Sequence, residues 1–148
     1  MNVMAIGAHP DDIEFGCSGT LIKHKERGDT VVYVCMTSTE SKSGTSGKVL
    51  RSLEQLTNEV KCATDLIGCD FVEFAPFTDL HVPFNFESVS VLDGMMQTYK
   101  IDTVYTHWAG DSNQDHIATF KATMAAARYV PNVFCYEQIP LPRHTENE

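Results

Sequence analysis

Positive charge is scarce in this chain of 148 residues, which has 11 Lys and Arg against 20 Asp and Glu and a formal net charge of −9. Proteins that bind nucleic acid or acidic membranes need clustered Lys and Arg, so the sequence argues against both partners. Long apolar runs are also missing, because every apolar stretch is strand-sized and far below the roughly 20 residues that span a bilayer. The N-terminus lacks the basic, long-hydrophobic and small-residue pattern of a secretory signal.

Paired cysteines are missing as well. The Cys residues are odd in number and scattered without a CxxC pair, at Cys17, Cys35, Cys62, Cys69 and Cys135. This spacing disfavours a cysteine zinc site and predicts reduced thiols in a cytoplasmic protein. Two of them, Cys35 and Cys135, lie in apolar strand-like runs and are predicted to be small core residues.

Strand-like and helix-like segments alternate along the chain. Apolar or β-branched runs predict five strands, at 3–8, 30–36, 71–75, 103–106 and 133–136. Helical spacing and turn signals predict four helices between them, at 20–27, 50–67, 86–99 and 117–129. With 43% apolar and 21% charged residues the composition is globular. The alternation predicts an α/β fold over 1–148 as a single domain, a Rossmann-like three-layer sandwich with a mainly parallel sheet.

A loop rich in Ser, Thr, Gly and Lys separates the second predicted strand from the second predicted helix, over 37–48. A loop of this length in a compact domain is more often functional than idle, although it could simply be flexible. The loop follows a strand at the carboxyl edge of the sheet, where ligands bind in such folds. We therefore predict that it forms part of the rim of a site.

Two short polar segments follow predicted strands and carry the residue types of a metal site, at 8–12 (AHPDD) and 111–116 (DSNQDH). His9 and Asp12 are three positions apart, so that both side chains can converge, and His116 could supply a third ligand. Two imidazoles and a carboxylate are a normal catalytic zinc set with one position open for water, and they also suit iron(II). Asp11 could take a proton from that water. These segments predict a metal-assisted hydrolase.

The same residues also have structural explanations. His9 could be a hydrogen-bonded turn histidine, and the Pro-Asp-Asp after it could be an ordinary helix start, because Asp favours N-caps. Asp115 could cap the following helix or complement its dipole, which we favour over a catalytic role. Three further histidines have no local context and are expected to be exposed, namely His24, His81 and His144.

With both segments considered together, the chain resembles the PIG-L/LmbE-like family of N-acetylglucosaminyl deacetylases over nearly its whole length. The first family motif corresponds to 7–16 (GAHPDDIEFG), and the second corresponds to 106–108 (THW) and 111–116. The resemblance implies a zinc-dependent enzyme that removes an acetyl group from an amino sugar or a sugar conjugate. It implies that the zinc ligands are His9, Asp12 and His116 and that the general base is Asp11.

The resemblance also points to residues that contact the substrate. In relatives an Arg and an Asp at such positions help to hold the substrate, which implies this role for Arg51 and Asp79. Arg51 could equally be a solvated helix charge paired with Glu54 on the same helix face. His107 is predicted to line the pocket as a substrate contact or to be structural, rather than to bind the metal.

Two departures from the family pattern stand out. Many relatives have a His at the position of Asn113, where it stabilises the oxyanion or protonates the leaving amine. An Asn amide can donate a hydrogen bond to an oxyanion but cannot shuttle a proton, so that Asp11, His107 or a water would return the proton. The second departure is length: relatives usually continue well beyond a Tyr-Glu pair such as 136–137, so the chain is expected to be shortened at its C-terminus.

Two alternatives to a deacetylase stay open. A non-catalytic sugar- or nucleotide-binding module could use the same fold, although the first strand is followed by two Asp that would repel a pyrophosphate, not by a GxGxxG turn. A shortened chain could also fold incompletely and leave a sheet edge exposed. The expected partner is a small acetylated amino sugar or conjugate, and the resemblance allows for a homo-oligomer.

Overall fold

A computed structural model describes residues 1–43 and 45–138 of the chain. The strands are β1 (Asn2–Gly7), β2 (Thr30–Thr37), β3 (Ser41–Lys42), β4 (Val49–Arg51), β5 (Phe71–Phe77), β6 (Thr103–His107) and β7 (Asn132–Tyr136). The helices are α1 (Asp12–Glu26), α2 (Leu53–Ile67), α3 (Phe86–Thr98) and α4 (Gln114–Ala126), and a 3₁₀ turn follows at Ala127–Tyr129. Five parallel strands form one sheet in the order β5-β2-β1-β6-β7.

Helices cover both faces of this sheet. Side chains of β1 alternate between two apolar clusters, because successive residues of a strand point to opposite faces. Val3 belongs to the cluster that includes Leu21 of α1 and Val60 of α2, and Met4 belongs to the cluster that includes Leu92 of α3. Both β1 residues are fully buried. The predicted three-layer α/β fold with a mainly parallel sheet is therefore confirmed.

The predicted first helix is too short. In the structure, α1 begins at Asp12, eight positions before the predicted start at Thr20, and ends at Glu26, one position before the predicted end. Glycines at 16 and 19 lower helix propensity in its first half. Its buried residues Ile13, Cys17 and Leu21 recur at helical spacing, but the exposed apolar residues Phe15 and Ile22 obscure this stripe in the sequence.

The predicted loop over 37–48 is partly ordered as a hairpin. Strand β3 pairs with β4 in antiparallel fashion, with Ser41 opposite Arg51. Helix α2 therefore begins three positions later than predicted, at Leu53, after Ser52 has closed a capping box. The hairpin escapes prediction because its strands are two and three residues long and its residues are polar or exposed.

The chain order reverses between β1 and β6, which lie side by side at the centre of the sheet. From β1 the chain moves outward to β2 and β5, and from β6 it moves the other way to β7. Loops that leave the carboxyl ends of such neighbouring strands separate and open a crevice for ligands. Both predicted site segments, 8–12 and 111–116, follow these two strands.

The edge strand β7 explains one wrong expectation. Cys135 lies on β7 and is exposed, whereas Cys35 on the interior strand β2 is buried as predicted. Among the described residues, no helix combines the length and the apolar character needed to cross a membrane. The expected exposure of His144 and the expected shortened end lie outside the described residues.

Candidate active site

Side chains of the two predicted segments meet at the carboxyl end of the sheet, where they help to line a cavity of about 300 Å³. Donor atoms of His9, Asp12 and His116 all lie within 4.8 Å of one another. Asp12 is the first residue of α1, and His116 lies in the first turn of α4. The fold thus brings together the three side chains that the resemblance implies as metal ligands.

Asp12 is the centre of this cluster. Its Oδ2 accepts a hydrogen bond from the backbone N–H of His9 at 2.7 Å and lies 3.2 Å from Nε2 of His107. Its Oδ1 lies 3.2 Å from Nε2 of His116. Burial would raise the pKa of this carboxyl, but hydrogen bonds with the three imidazoles outweigh burial and hold the pKa well below its usual range. Asp12 is therefore ionised.

His9 is surrounded by carboxylates. Its Nε2 lies 2.9 Å from Oδ2 of Asp115 and 3.3 Å from Oδ1 of Asp79, and its Nδ1 lies 3.6 Å from Oδ2 of Asp12. Burial disfavours a charged ring, but hydrogen bonds with Asp115 and Asp12 outweigh burial and raise the pKa of His9 to about 10. The cluster therefore attracts positive charge, either as protons or as a metal ion.

Asp111 orients His116, a role that the sequence analysis did not assign. Its Oδ2 lies 2.8 Å from Nδ1 of His116, which leaves Nε2 directed at Asp12. Metal-binding histidines usually have such a carboxylate on the second ring nitrogen. The sequence contains an indication of this role, because Asp111 lies inside the second polar segment, five positions before His116.

His107 lies beneath the cavity and does not line it. Its side chain is fully buried and its ring stacks on that of His116, with centroids 4.0 Å apart and planes at 15°. Its Nδ1 has no hydrogen-bond partner among residues 1–43 and 45–138. Burial lowers the pKa of His107, so the ring is neutral. The predicted substrate contact is corrected: His107 supports His116 and Asp12 from below.

Tyr136 on β7 supports His107 in turn. The two rings have centroids 4.9 Å apart, and the Tyr136 hydroxyl donates to a backbone carbonyl of β1 at 2.7 Å. Gly16 of α1 leaves room for the tyrosine, since a Cβ at this position would lie 2.3 Å from the ring. Gln138, 126 positions from Asp12, donates to its Oδ1 at 3.2 Å. No local sequence pattern predicts these supporting contacts.

Asp11 lines the cavity in an unusual backbone conformation. Its φ of 111° is positive, which is uncommon for a non-glycine residue, costs about 1–3 kcal/mol and occurs mainly at functional sites. Asp11 precedes α1, but its side chain makes no capping hydrogen bond within the described chain. Partial desolvation, together with the neighbouring Asp12 carboxylate, raises the pKa of Asp11 to about 6. The helix-start explanation therefore does not account for this side chain.

Asn113, not Asp115, caps α4. Its Oδ1 accepts hydrogen bonds from the backbone N–H groups of Asp115 at 2.8 Å and His116 at 3.4 Å. The Asn113 side chain also lines the cavity, with its amide nitrogen as the remaining donor. The Asp115 carboxylate instead contacts His9 and accepts from the backbone N–H of Val82 at 3.1 Å. The predicted capping role of Asp115 is wrong, but Asp115 lies in the first turn of α4, where the alternative prediction placed it as a complement to the helix dipole.

Arg51 and Asp79 both lie in the cavity lining. Arg51 belongs to β4, not to a helix, and its Nε lies 3.5 Å from Glu59 rather than near Glu54. The explanation of Arg51 as a helix charge paired with Glu54 is therefore wrong. Asp79 faces His9 with Oδ1, and its Oδ2 accepts from the backbone N–H of Lys42 at 2.9 Å. Asp79 thus ties the hairpin to the His9 ring.

Comparisons of sequence show similarity to deacetylases. The model of the PIG-L family, described as GlcNAc-PI de-N-acetylase, matches residues 4–127. The uncharacterised deacetylase YaiS of Escherichia coli (strain K12) is 34% identical to this chain over 142 residues. The match covers 91% of this chain and 72% of YaiS.

Solved structures share the architecture. The conserved protein TT1542 from Thermus thermophilus has a TM-score of 0.80 at 23% identity, over 96% of this chain and 69% of that one, which shows a common fold. The N,N'-diacetylchitobiose deacetylase from Pyrococcus horikoshii has a TM-score of 0.75 at 25% identity, over 86% of this chain. The match spans about half of the archaeal chain, 49% of its length.

Proposed function

Because the chain belongs to the PIG-L family of GlcNAc-PI de-N-acetylases, we propose that it is a metal-dependent amide hydrolase that removes an N-acetyl group from an amino sugar or a sugar conjugate. One observation carries this proposal: His9, Asp12 and His116 converge on one small volume at the cavity that Asp11 also lines. A ligand set and a free carboxylate on one cavity are what metal-assisted hydrolysis requires.

The residues present fit a divalent metal ion, which His9, Asp12 and His116 would hold. Two imidazoles and an ionised carboxylate match catalytic zinc and suit iron(II) as well. The contact between Asp111 and His116 fixes one imidazole in the orientation that a ligand needs. When bound, such an ion polarises the amide carbonyl and lowers the pKa of water.

Asp11 would act as the general base. It accepts a proton from the attacking water while the water oxygen bonds to the amide carbon, a role that typically contributes about 10²–10⁴-fold to the rate. The bond between carbon and nitrogen then breaks as the nitrogen receives a proton. His107 is buried outside the cavity, so the proton would return to the leaving amine from Asp11, either directly or through a water.

Asn113 would stabilise the oxygen on which negative charge develops. Because the helix cap occupies its Oδ1, its amide nitrogen is left to donate a hydrogen bond to that oxygen. Arg51 and Asp79, which lie in the same cavity lining, would contact polar groups of the substrate.

The proposal is tested by removing and restoring the metal. Purified protein is stripped with a chelator and reloaded with zinc or iron(II), and acetate release from N-acetylglucosamine and its methyl glycoside is measured. We expect about one bound ion per chain and activity only in reloaded protein. Asp12→Asn should lose the ion, whereas Asp65→Asn, on the exposed surface of α2, should retain it.

Two results would contradict this function. Full activity of the metal-free protein would show that the reaction does not require a metal ion. Binding of the sugar without acetate release, over a long incubation with added zinc or iron(II), would support a non-catalytic module of the same fold.

A further inference from the structure

The cavity has charges of opposite sign in different parts of its lining. Asp11 and Asp12 contribute carboxylates at the start of α1. Asp79 contributes a third, which is bound to the backbone of Lys42. Among the described residues that line the cavity, only Lys42 and Arg51 carry a permanent positive charge. One belongs to β3 and the other to β4, so that both lie on the hairpin. In a chain with a net charge of −9, two cations on one side of the cavity are a distinct feature.

The backbone holds this hairpin against the rest of the site. Lys42 donates its backbone N–H to Oδ2 of Asp79 at 2.9 Å, and Oδ1 of Asp79 lies 3.3 Å from Nε2 of His9. The backbone N–H of Asp79 in turn donates to Oγ1 of Thr39 at 3.0 Å. None of these contacts uses the Lys42 side chain, so the contacts that tie the hairpin to Asp79 do not depend on its ammonium group.

Both cations have only weak partners in the described chain. Nζ of Lys42 lies 3.2 Å from Glu40, in a pair whose side chains are 44% and 41% exposed. Nε of Arg51 lies 3.5 Å from Glu59, in a pair whose side chains are 50% and 57% exposed. Ion pairs this exposed contribute little, so a ligand anion can replace either glutamate at small cost.

A neutral acetylated amino sugar offers no partner to these cations. We propose that Lys42 selects substrates in which the part of the conjugate next to the hairpin carries an anionic group, either a phosphate or a carboxylate. Arg51 would share the contact with this group. The inference rests on the proposed function and adds a substrate class to it.

The test compares probes that differ in charge. Methyl N-acetylglucosaminide is neutral, N-acetylglucosamine 1-phosphate carries a phosphate, and N-acetylmuramic acid carries a carboxylate. We expect metal-loaded protein to have the higher kcat/KM for an anionic probe, through a lower KM. Lys42→Met should reduce the ratio of anionic to neutral kcat/KM by up to about fivefold, as expected for loss of a solvent-exposed ion pair.

Two variants serve as controls. Lys42→Arg keeps the charge and should keep most of the preference. Lys48→Met removes a cation that belongs to the same hairpin loop but does not line the cavity, and it should leave the preference unchanged. A loss of preference in Lys48→Met as large as in Lys42→Met would overturn the assignment to Lys42, since it would indicate general attraction of anions.

The two proposals fail in different ways. Equal turnover of neutral and anionic probes, or a preference that survives Lys42→Met, overturns the selection by Lys42 and leaves the deacetylase proposal intact. If no probe releases acetate, the proposed function fails instead. Calorimetric binding of N-acetylglucosamine 1-phosphate to the wild type and to Lys42→Met would then still decide whether Lys42 binds the anion. A preference for only one of the two anions would support the selection and identify the group.

Discussion

Imidazoles and carboxylates meet at both ends of the central sheet, but in different states. At the amino end His24 is buried with both nitrogens engaged, Nδ1 with Asp29 at 2.7 Å and Nε2 with the Tyr105 hydroxyl at 3.0 Å. At the carboxyl end three imidazoles share the Asp12 carboxylate, and Nδ1 of His107 has no partner in the described part of the chain. The same residue types are therefore fully matched at the amino end, whereas the carboxyl end keeps a nitrogen unpartnered among the described residues and the shifted pKa values that are typical of functional sites.

Asp11→Asn should have the largest effect, and it should act on turnover alone. Asn is nearly isosteric with Asp and tolerates positive φ better than most residues, so the fold and the metal content should persist. Loss of the general base should lower kcat for acetate release by about 10²–10⁴-fold. The matched change at the amino end, Asp29→Asn, should keep kcat. Unchanged turnover in Asp11→Asn would show that the carboxyl end is not reactive in the way proposed.

Gly16→Ala should destabilise the candidate site by displacing Tyr136, which packs against His107. The added Cβ would lie 2.3 Å from the Tyr136 ring, and overpacking of this kind costs about 1–3 kcal/mol. Urea unfolding should show this loss, and metal titration should show weaker binding because Tyr136 supports His107. Gly19→Ala is the control on the same helix: its Cβ would meet nothing within 4 Å, and it should gain up to about 1 kcal/mol of stability. Equal stability of the two variants would contradict the role of Tyr136.

His24→Ala should have the smallest effect of the three, and it should change stability without changing turnover. The substitution removes two hydrogen bonds, to Asp29 and to Tyr105, and should lower the free energy of unfolding by about 1–2 kcal/mol. Urea denaturation measures this change, and kcat should stay at the wild-type value. A fall in kcat with unchanged stability would show that the amino end is not merely structural.

Sequence patterns predict the central strands better than the elements around the site. Strands β1 and β2 are predicted to within one residue at each end because a buried parallel strand is a continuous apolar run. The hairpin of β3 and β4 has no such run. The prediction that His24 is exposed is wrong, because the ring is buried. Its contact with Tyr105, 81 positions away, leaves no signal in the local sequence.

The candidate site also contains residues that the sequence predicts and residues that it does not. His9, Asp12 and His116 stand in short polar segments that follow strands, so their convergence can be predicted from the topology. The contacts of Tyr136 and Gln138 depend on packing between distant elements, which no local pattern encodes. Metal binding, the roles of the site residues, a single domain over 1–148, a homo-oligomer and a cytoplasmic location stay predictions.

Asp79 gives one oxygen to the hairpin backbone and the other to the His9 ring. A molecule that draws the hairpin toward itself must therefore alter the negative potential at that imidazole. Thermodynamic linkage makes any such influence mutual: the factor by which a hairpin ligand would change the affinity of His9 for an ion is also the factor by which the ion would change the affinity of the hairpin for its ligand. Under the two proposals, occupancy of the two sites would be coupled through the shared Asp79 carboxylate, although the two ligands need not touch.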